Sequence, residues 1–154
     1  KLFLCFHPDL SEDRNEGHIL WRKTSKPVFQ SALKNCSGVI ANAGFELSSE
    51  CLQLGKKLLV KPLKGQYEQS SNMLTLETLG LCTSMLELDD DIVEQWLCSA
   101  APDPVDFPRD PGIFIDWLKT GNWHSTGDLC DALWQQVTFP AAVKLKLQSM
   151  TSTR

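Results

Sequence analysis

Residues 38–72 read GVIANAGFELSSECLQLGKKLLVKPLKGQYEQSSN, and the fold turns on how this stretch is parsed. Gly38 to Ala41 is a short apolar run, and Asn42-Ala43-Gly44 is a small-residue turn. Phe45 to Leu54 then carries Leu47, Cys51 and Leu54 on one helical face, at i, i+4 and i+7. Gly55 stands where a helix C-terminus favours a glycine. Lys57 to Lys61 holds Leu58, Leu59 and Val60 in a row and is ended by Pro62, so it reads as a second strand. Gln66 to Leu79 makes a longer helix closed by Gly80. A strand buried on both faces is continuously apolar rather than alternating, so this order points to a parallel sheet covered by helices.

The flanks extend the pattern. Leu2 to Phe6 is an apolar strand, Asp9 to Gly17 a polar loop, and His18 to Trp21 another strand. A helix follows with Pro27 in its first turn and Ser25 as its cap, its stripe formed by Val28, Ala32 and Leu33 up to Cys36. Beyond Gly80, Cys82 to Met85 suits a short strand, and Asp89 to Cys98 suits a helix with Asp89, Asp90 and Asp91 at its positive end. The expectation is an α/β fold: a Rossmann-like parallel sheet with helices on both faces over residues 1–98, its crossovers right-handed. At Ser99 the composition shifts. Pro102, Pro104, Pro108 and Pro111 alternate with Asp103, Asp106 and Asp110, which predicts an extended arm over 99–112. Helices over Gly112 to Thr120 and Thr126 to Val137 form a C-terminal tail, 113–150, with Trp117, Trp123 and Trp134 as its anchors. After Pro140 the pattern fits either a strand, with Val143, Leu145 and Leu147 alternating, or a helix; Thr151 to Arg154 reads as disordered.

Composition narrows the function. The 154 residues carry 15 Lys and Arg against 19 Asp and Glu, a net charge of −4, which excludes a generic basic nucleic-acid binder. No apolar run approaches the roughly 20 residues that span a bilayer, and Lys1 to Phe6 lacks the pattern of a signal peptide. The six cysteines form no C-x-x-C pair, so they read as reduced thiols of a cytoplasmic protein, with no metal site and no cofactor expected. His7, His18 and His124 read as surface or loop histidines, and no catalytic base is assigned.

The turn before Phe45 carries the chemistry. A helix N-terminus leaves N–H groups unpaired and bears a partial positive charge. A glycine there lets an anion approach the backbone, which is a phosphate-binding arrangement. Glu50, farther along the polar face with Glu46 and Gln53, suits the vicinal hydroxyls of a ribose. Gln66, Glu68 and Gln69 open the next helix and suit a polyhydroxyl ligand.

On these residues the chain resembles a family. Asn42-Ala43-Gly44-Phe45-Glu46-Leu47-Ser48-Ser49-Glu50, Leu54-Gly55-Lys56, Val60-Lys61-Pro62, Glu68-Gln69, Asn72 and Leu79-Gly80 follow in order the nucleotide-sugar signature of GT-B glycosyltransferases. The likeness spans about Val28 to Met85. It is nearest to the branch that holds the lipid-II-forming N-acetylglucosaminyl transferase and related bacterial and archaeal proteins. It implies one half of a GT-B fold that binds a nucleoside-diphosphate sugar, UDP-linked by default, without a metal. Gly44 and Phe45 would offer N–H groups to the diphosphate, with Asn42 beside them where plant-type relatives place a His. Glu50 would hold the ribose, Glu68 and Gln69 the sugar, and the backbone of Thr24 to Lys26, including Ser25, the base. The implied partner is an N-terminal acceptor half or a separate chain, to which any membrane contact at the inner face would fall. A nucleotide-sugar epimerase half or a non-catalytic donor-binding subunit are the alternatives. The epimerases carry an Arg- and Glu-rich loop where Gln66-Tyr67-Glu68-Gln69 stands here.

Overall fold

A computed structural model describes residues 1–151. The stretch read as disordered therefore lies outside the described residues from 152 onward. The chain divides into two compact units, Lys1–Ser37 and Gly38–Arg154.

The first unit comprises β1 (Phe3–His7), β2 (Arg14–Glu16), β3 (Ile19–Lys23) and α1 (Lys26–Asn35). β3 is the central strand, parallel to β1 and antiparallel to β2. β2 falls inside the stretch read as a loop. It has no apolar alternation to betray it, since Arg14, Asn15 and Glu16 are all exposed. It pairs because Gly17, at φ 58°, turns the chain tightly into β3. Its side chains stabilise the pairing: Arg22 reaches Asn15 Oδ1 at 2.9 Å, and Trp21 Nε1 donates to Glu16 Oε2 at 2.8 Å. Pro27 stands in the first turn of α1 and Ser25 at the N-cap, but the Ser25 side chain makes no capping bond. Of the predicted stripe only Leu33 is buried; Val28 is exposed.

The second unit holds β4 (Gly38–Ala41), α2 (Phe45–Gln53), β5 (Lys57–Val60), α3 (Tyr67–Leu79), β6 (Thr83–Ser84) and α4 (Asp90–Cys98). The strands form one parallel sheet, ordered β4-β5-β6. The central position of β5 explains its unbroken apolar run: Leu58, Leu59 and Val60 are all buried. Leu59 packs with Met85 and Trp96. Trp96 lies so close over β4 that a Cβ on Gly38 would stand 2.6 Å from its ring. Asp89 caps α4, accepting from the Ile92 amide at 3.1 Å. Lys57 closes the other end, its Nζ donating to Trp96 O, Leu97 O and Ser99 O at 2.9–3.1 Å.

The Pro-rich stretch is an arm fastened to α2. Val105 is fully buried and its N–H donates to Leu52 O at 3.0 Å; Asp106 and Thr138 exchange backbone bonds. Then come α5 (Gly112–Thr120), α6 (Thr126–Trp134) and α7 (Ala141–Thr151). α7 resolves the ambiguity after Pro140 in favour of a helix. Val143 and Leu147, at i and i+4, meet the core of Leu52, Leu81 and Val105, whereas Leu145 is 67% exposed and breaks the strand alternation. The tryptophans are not the predicted anchors. Trp123 and Trp134 are exposed, and Trp117 is spent inside the α5–α6 hairpin, its Nε1 on Ser125 Oγ at 2.9 Å. Val105 and Val143 anchor the tail instead. The chain is thus α/β with a parallel sheet, consistent with one Rossmann-like half of a GT-B fold. Among the described residues no helix is long and apolar enough to cross a membrane.

Candidate functional site

Parallel strands end on one edge of their sheet, so the segments after β4, β5 and β6 share the C-terminal edge where ligands of open α/β sheets bind. After β4 the chain turns through Ala43, which is fully buried with φ 61°. A left-handed conformation costs a non-glycine residue about 1–2 kcal/mol. Gly44 follows at φ −64°, ψ 142°, ordinary extended backbone, and occupies the N-cap of α2. A Cβ added to Gly44 would meet nothing within 4 Å. As a glycine, the N-cap residue has no side chain with which to cap the helix. The first intrahelical bond runs from Ser48 N to Gly44 O at 3.2 Å, so the amides before it face outward without a helical acceptor.

Asn42, Phe45 and Glu50 are all exposed around this mouth. On the neighbouring helix Gln66 is the N-cap of α3 and Glu68 lies in its first turn. Gln69 is half-buried, and its Oε1 accepts from the Leu63 amide at 2.9 Å. That bond fixes the side chain's orientation and leaves the Nε2 amide group as its free, donating end. A side-chain bond joins α3 to the turn before α2: Asn72 Nδ2 donates to Ala43 O at 3.0 Å. That bond ties α3, which Gln66, Glu68 and Gln69 open, to the turn that holds Asn42 and Gly44; Phe45 starts α2 and Glu50 lies in its second turn. Ser25 and Lys26 belong to the other unit, where they open α1.

Burial, and secondarily the Glu77 carboxylate, push the Cys82 thiol from 9.0 up to about 12. Among the described residues no group of three or more His, Cys, Asp or Glu could hold a metal ion.

The family model of Glycosyl transferase family 1 matches residues 3–101. The chain belongs to this family. The match covers both sheets and helices α1 to α4 and stops within the Pro-rich stretch. It agrees at family level with the resemblance carried by residues 28–85. No curated protein and no solved structure matches the chain. Sequence reasoning missed the left-handed Ala43 and the use to which Asn72 is put. The first had a faint signal in the Asn-Ala-Gly turn; the second joins positions 29 residues apart, which local pattern cannot see.

Proposed function

We propose that this glycosyltransferase chain is the donor-binding half of an enzyme that moves a sugar from a UDP-linked donor to an acceptor held by a partner half. The observation that carries the reading is Gly44. Its backbone angles suit any residue and its missing Cβ would project into open space, so the fold does not require glycine there. The left-handed position beside it, where glycine would relieve strain, holds alanine. A glycine placed where the protein has no use for it is explained by a ligand that must approach the backbone.

The donor diphosphate would sit at the mouth of α2, on the outward amides of Gly44 and Phe45. Glu50 would accept from the ribose hydroxyls. Gln69 would donate through Nε2 to a sugar oxygen, and Glu68 would accept from a sugar hydroxyl. Asn42 would add a neutral contact near the phosphates and Gln66 a further polar group. As the bond between the anomeric carbon and the phosphate oxygen breaks, negative charge grows on the diphosphate. Preoriented N–H dipoles at a helix end stabilise such charge as it develops. We take the chemistry as metal-independent because Asp89, first of the acidic triplet, is used to cap α4. The ordered motif series favours hexosyl or N-acetylhexosaminyl transfer.

A partner half is supported by apolar exposure. The four most exposed large hydrophobic residues are Tyr67 at 87%, Leu88 at 81%, Phe45 at 72% and Leu86 at 69%. All four lie in the segments beyond the C-terminal ends of β4, β5 and β6. Apolar surface gathered at one edge marks a surface that something covers.

Calorimetric titration with UDP tests the reading. The parent chain should bind weakly, since half of the crevice lies outside it, and Gly44→Ala should weaken binding at least tenfold with an unchanged Tm. Equal affinity in the two proteins would overturn it.

A further inference from the structure

The hydrogen bond between α3 and the β4–α2 turn has a consequence for the amide of Gly44. The Ala43 carbonyl and the Gly44 N–H belong to one peptide plane and point in opposite directions across it. Asn72 Nδ2 grips that carbonyl at 3.0 Å from a half-buried position. Fixing the oxygen therefore fixes where the N–H aims. The grip matters because of the residue that follows. Rotating the Ala43–Gly44 peptide by half a turn changes φ of Gly44 from its −64° to a positive value, which glycine alone tolerates readily. On the glycine side, then, the backbone does not oppose a rotation that would turn this N–H away.

We propose that Asn72 is a positioning residue for the donor diphosphate, holding the Ala43 carbonyl so that the Gly44 N–H faces the open edge. Its ligand-related part rests on the donor-binding reading above. Three residues earlier on α3, Gln69 holds the β5–α3 loop by a bond of the opposite sense, its Oε1 accepting from the Leu63 amide. Residues at i and i+3 share a helix face, so α3 braces both loops of the edge. Asn72 touches no substrate in this scheme; it acts through Ala43.

The test uses the full chain and two readouts. In ¹⁵N NMR without ligand, Asn72→Asp, which keeps the shape but removes the donor, should shift, broaden or double the Gly44 amide signal. It should also change the cross-peak between Ala43 Hα and the Gly44 amide, while signals from α4 stay in place. UDP affinity, followed by calorimetry, should fall at least tenfold. A residue that merely stabilised the fold would lower Tm and perturb signals throughout without singling out Gly44. If Asn72→Asp does not fold, Asn72→Ala removes the donor without adding charge and is read in the same way. An unchanged Gly44 signal and cross-peak in a folded variant overturn the proposal. If Gly44 responds but neither pyrophosphate nor UDP binds the parent, the donor-binding reading falls and the role toward a diphosphate with it, while the hold on the peptide stands.

Discussion

At the scale of single residues, Ala43 and Gly44 look exchanged. Backbone geometry alone would place glycine at the left-handed position and leave any residue at the next. The exchange makes sense if position 44 is governed by a ligand and position 43 by packing, since Ala43 is fully buried. Glu50 offers a separate test. Glu50→Ala should weaken UDP binding by roughly 10- to 150-fold, the equivalent of the roughly 1.5–3 kcal/mol of a hydrogen bond to a charged group, and leave pyrophosphate binding unchanged. Calorimetry with both ligands reads the difference; equal losses for the two would remove Glu50 from the ribose. Cys82 gives a pH prediction. Its folded thiol holds its proton to about pH 12 against 9.0 ordinarily. Below pH 9 both states are protonated and nothing changes. From pH 9 toward 12 the unfolded state loses the proton first, so stability falls as pH rises through that window. Cys82→Ser should flatten that part of the Tm profile. The site's glycine and carboxylate could be read from the sequence because each is a residue type with one obvious chemical use. The conformation of Ala43 and the target of Asn72 could not, because both are set by tertiary contact.

At the scale of elements, the helices lie close to where periodicity put them. α2, α3, α4 and α5 start and stop at the signals written in the chain, with Gly80 and Gly121 left-handed behind α3 and α5. β2 escaped because a fully solvated edge strand carries no hydrophobic pattern. α7 stayed ambiguous because Val143 and Leu147 satisfy a period of two and a period of four alike, and only the exposure of Leu145 separates them. The C-terminus of α4 makes the sharpest stability prediction. Lys57→Met keeps an unbranched aliphatic chain but removes the ammonium that lies 5.3 Å from the Trp96 ring centroid, and leaves the carbonyls of Trp96, Leu97 and Ser99 without their donor. A loss of about 1–3 kcal/mol is expected, read as a lower midpoint in urea with unchanged m. An unaltered midpoint would show that water replaces the ammonium at no cost.

At the scale of the molecule, the class of fold was legible because apolar strands alternated with capped helices. The division at Ser37 and the mixed sheet of the first unit were not, since composition does not change there. Exposed leucines at the sheet's C-terminal edge should be dispensable for the isolated chain. Leu86→Ser with Leu88→Ser should move Tm by no more than the roughly 0.5 kcal/mol typical of surface changes, and a larger drop would mean that these side chains serve the fold rather than a partner. Donor binding depends on main-chain amides at the start of α2 receiving a diphosphate. The most direct measurement is a ¹⁵N NMR titration of the chain with UDP. The largest shifts should fall on the amides of Gly44, Phe45 and Glu46; saturable shifts elsewhere that leave those three in place would contradict it.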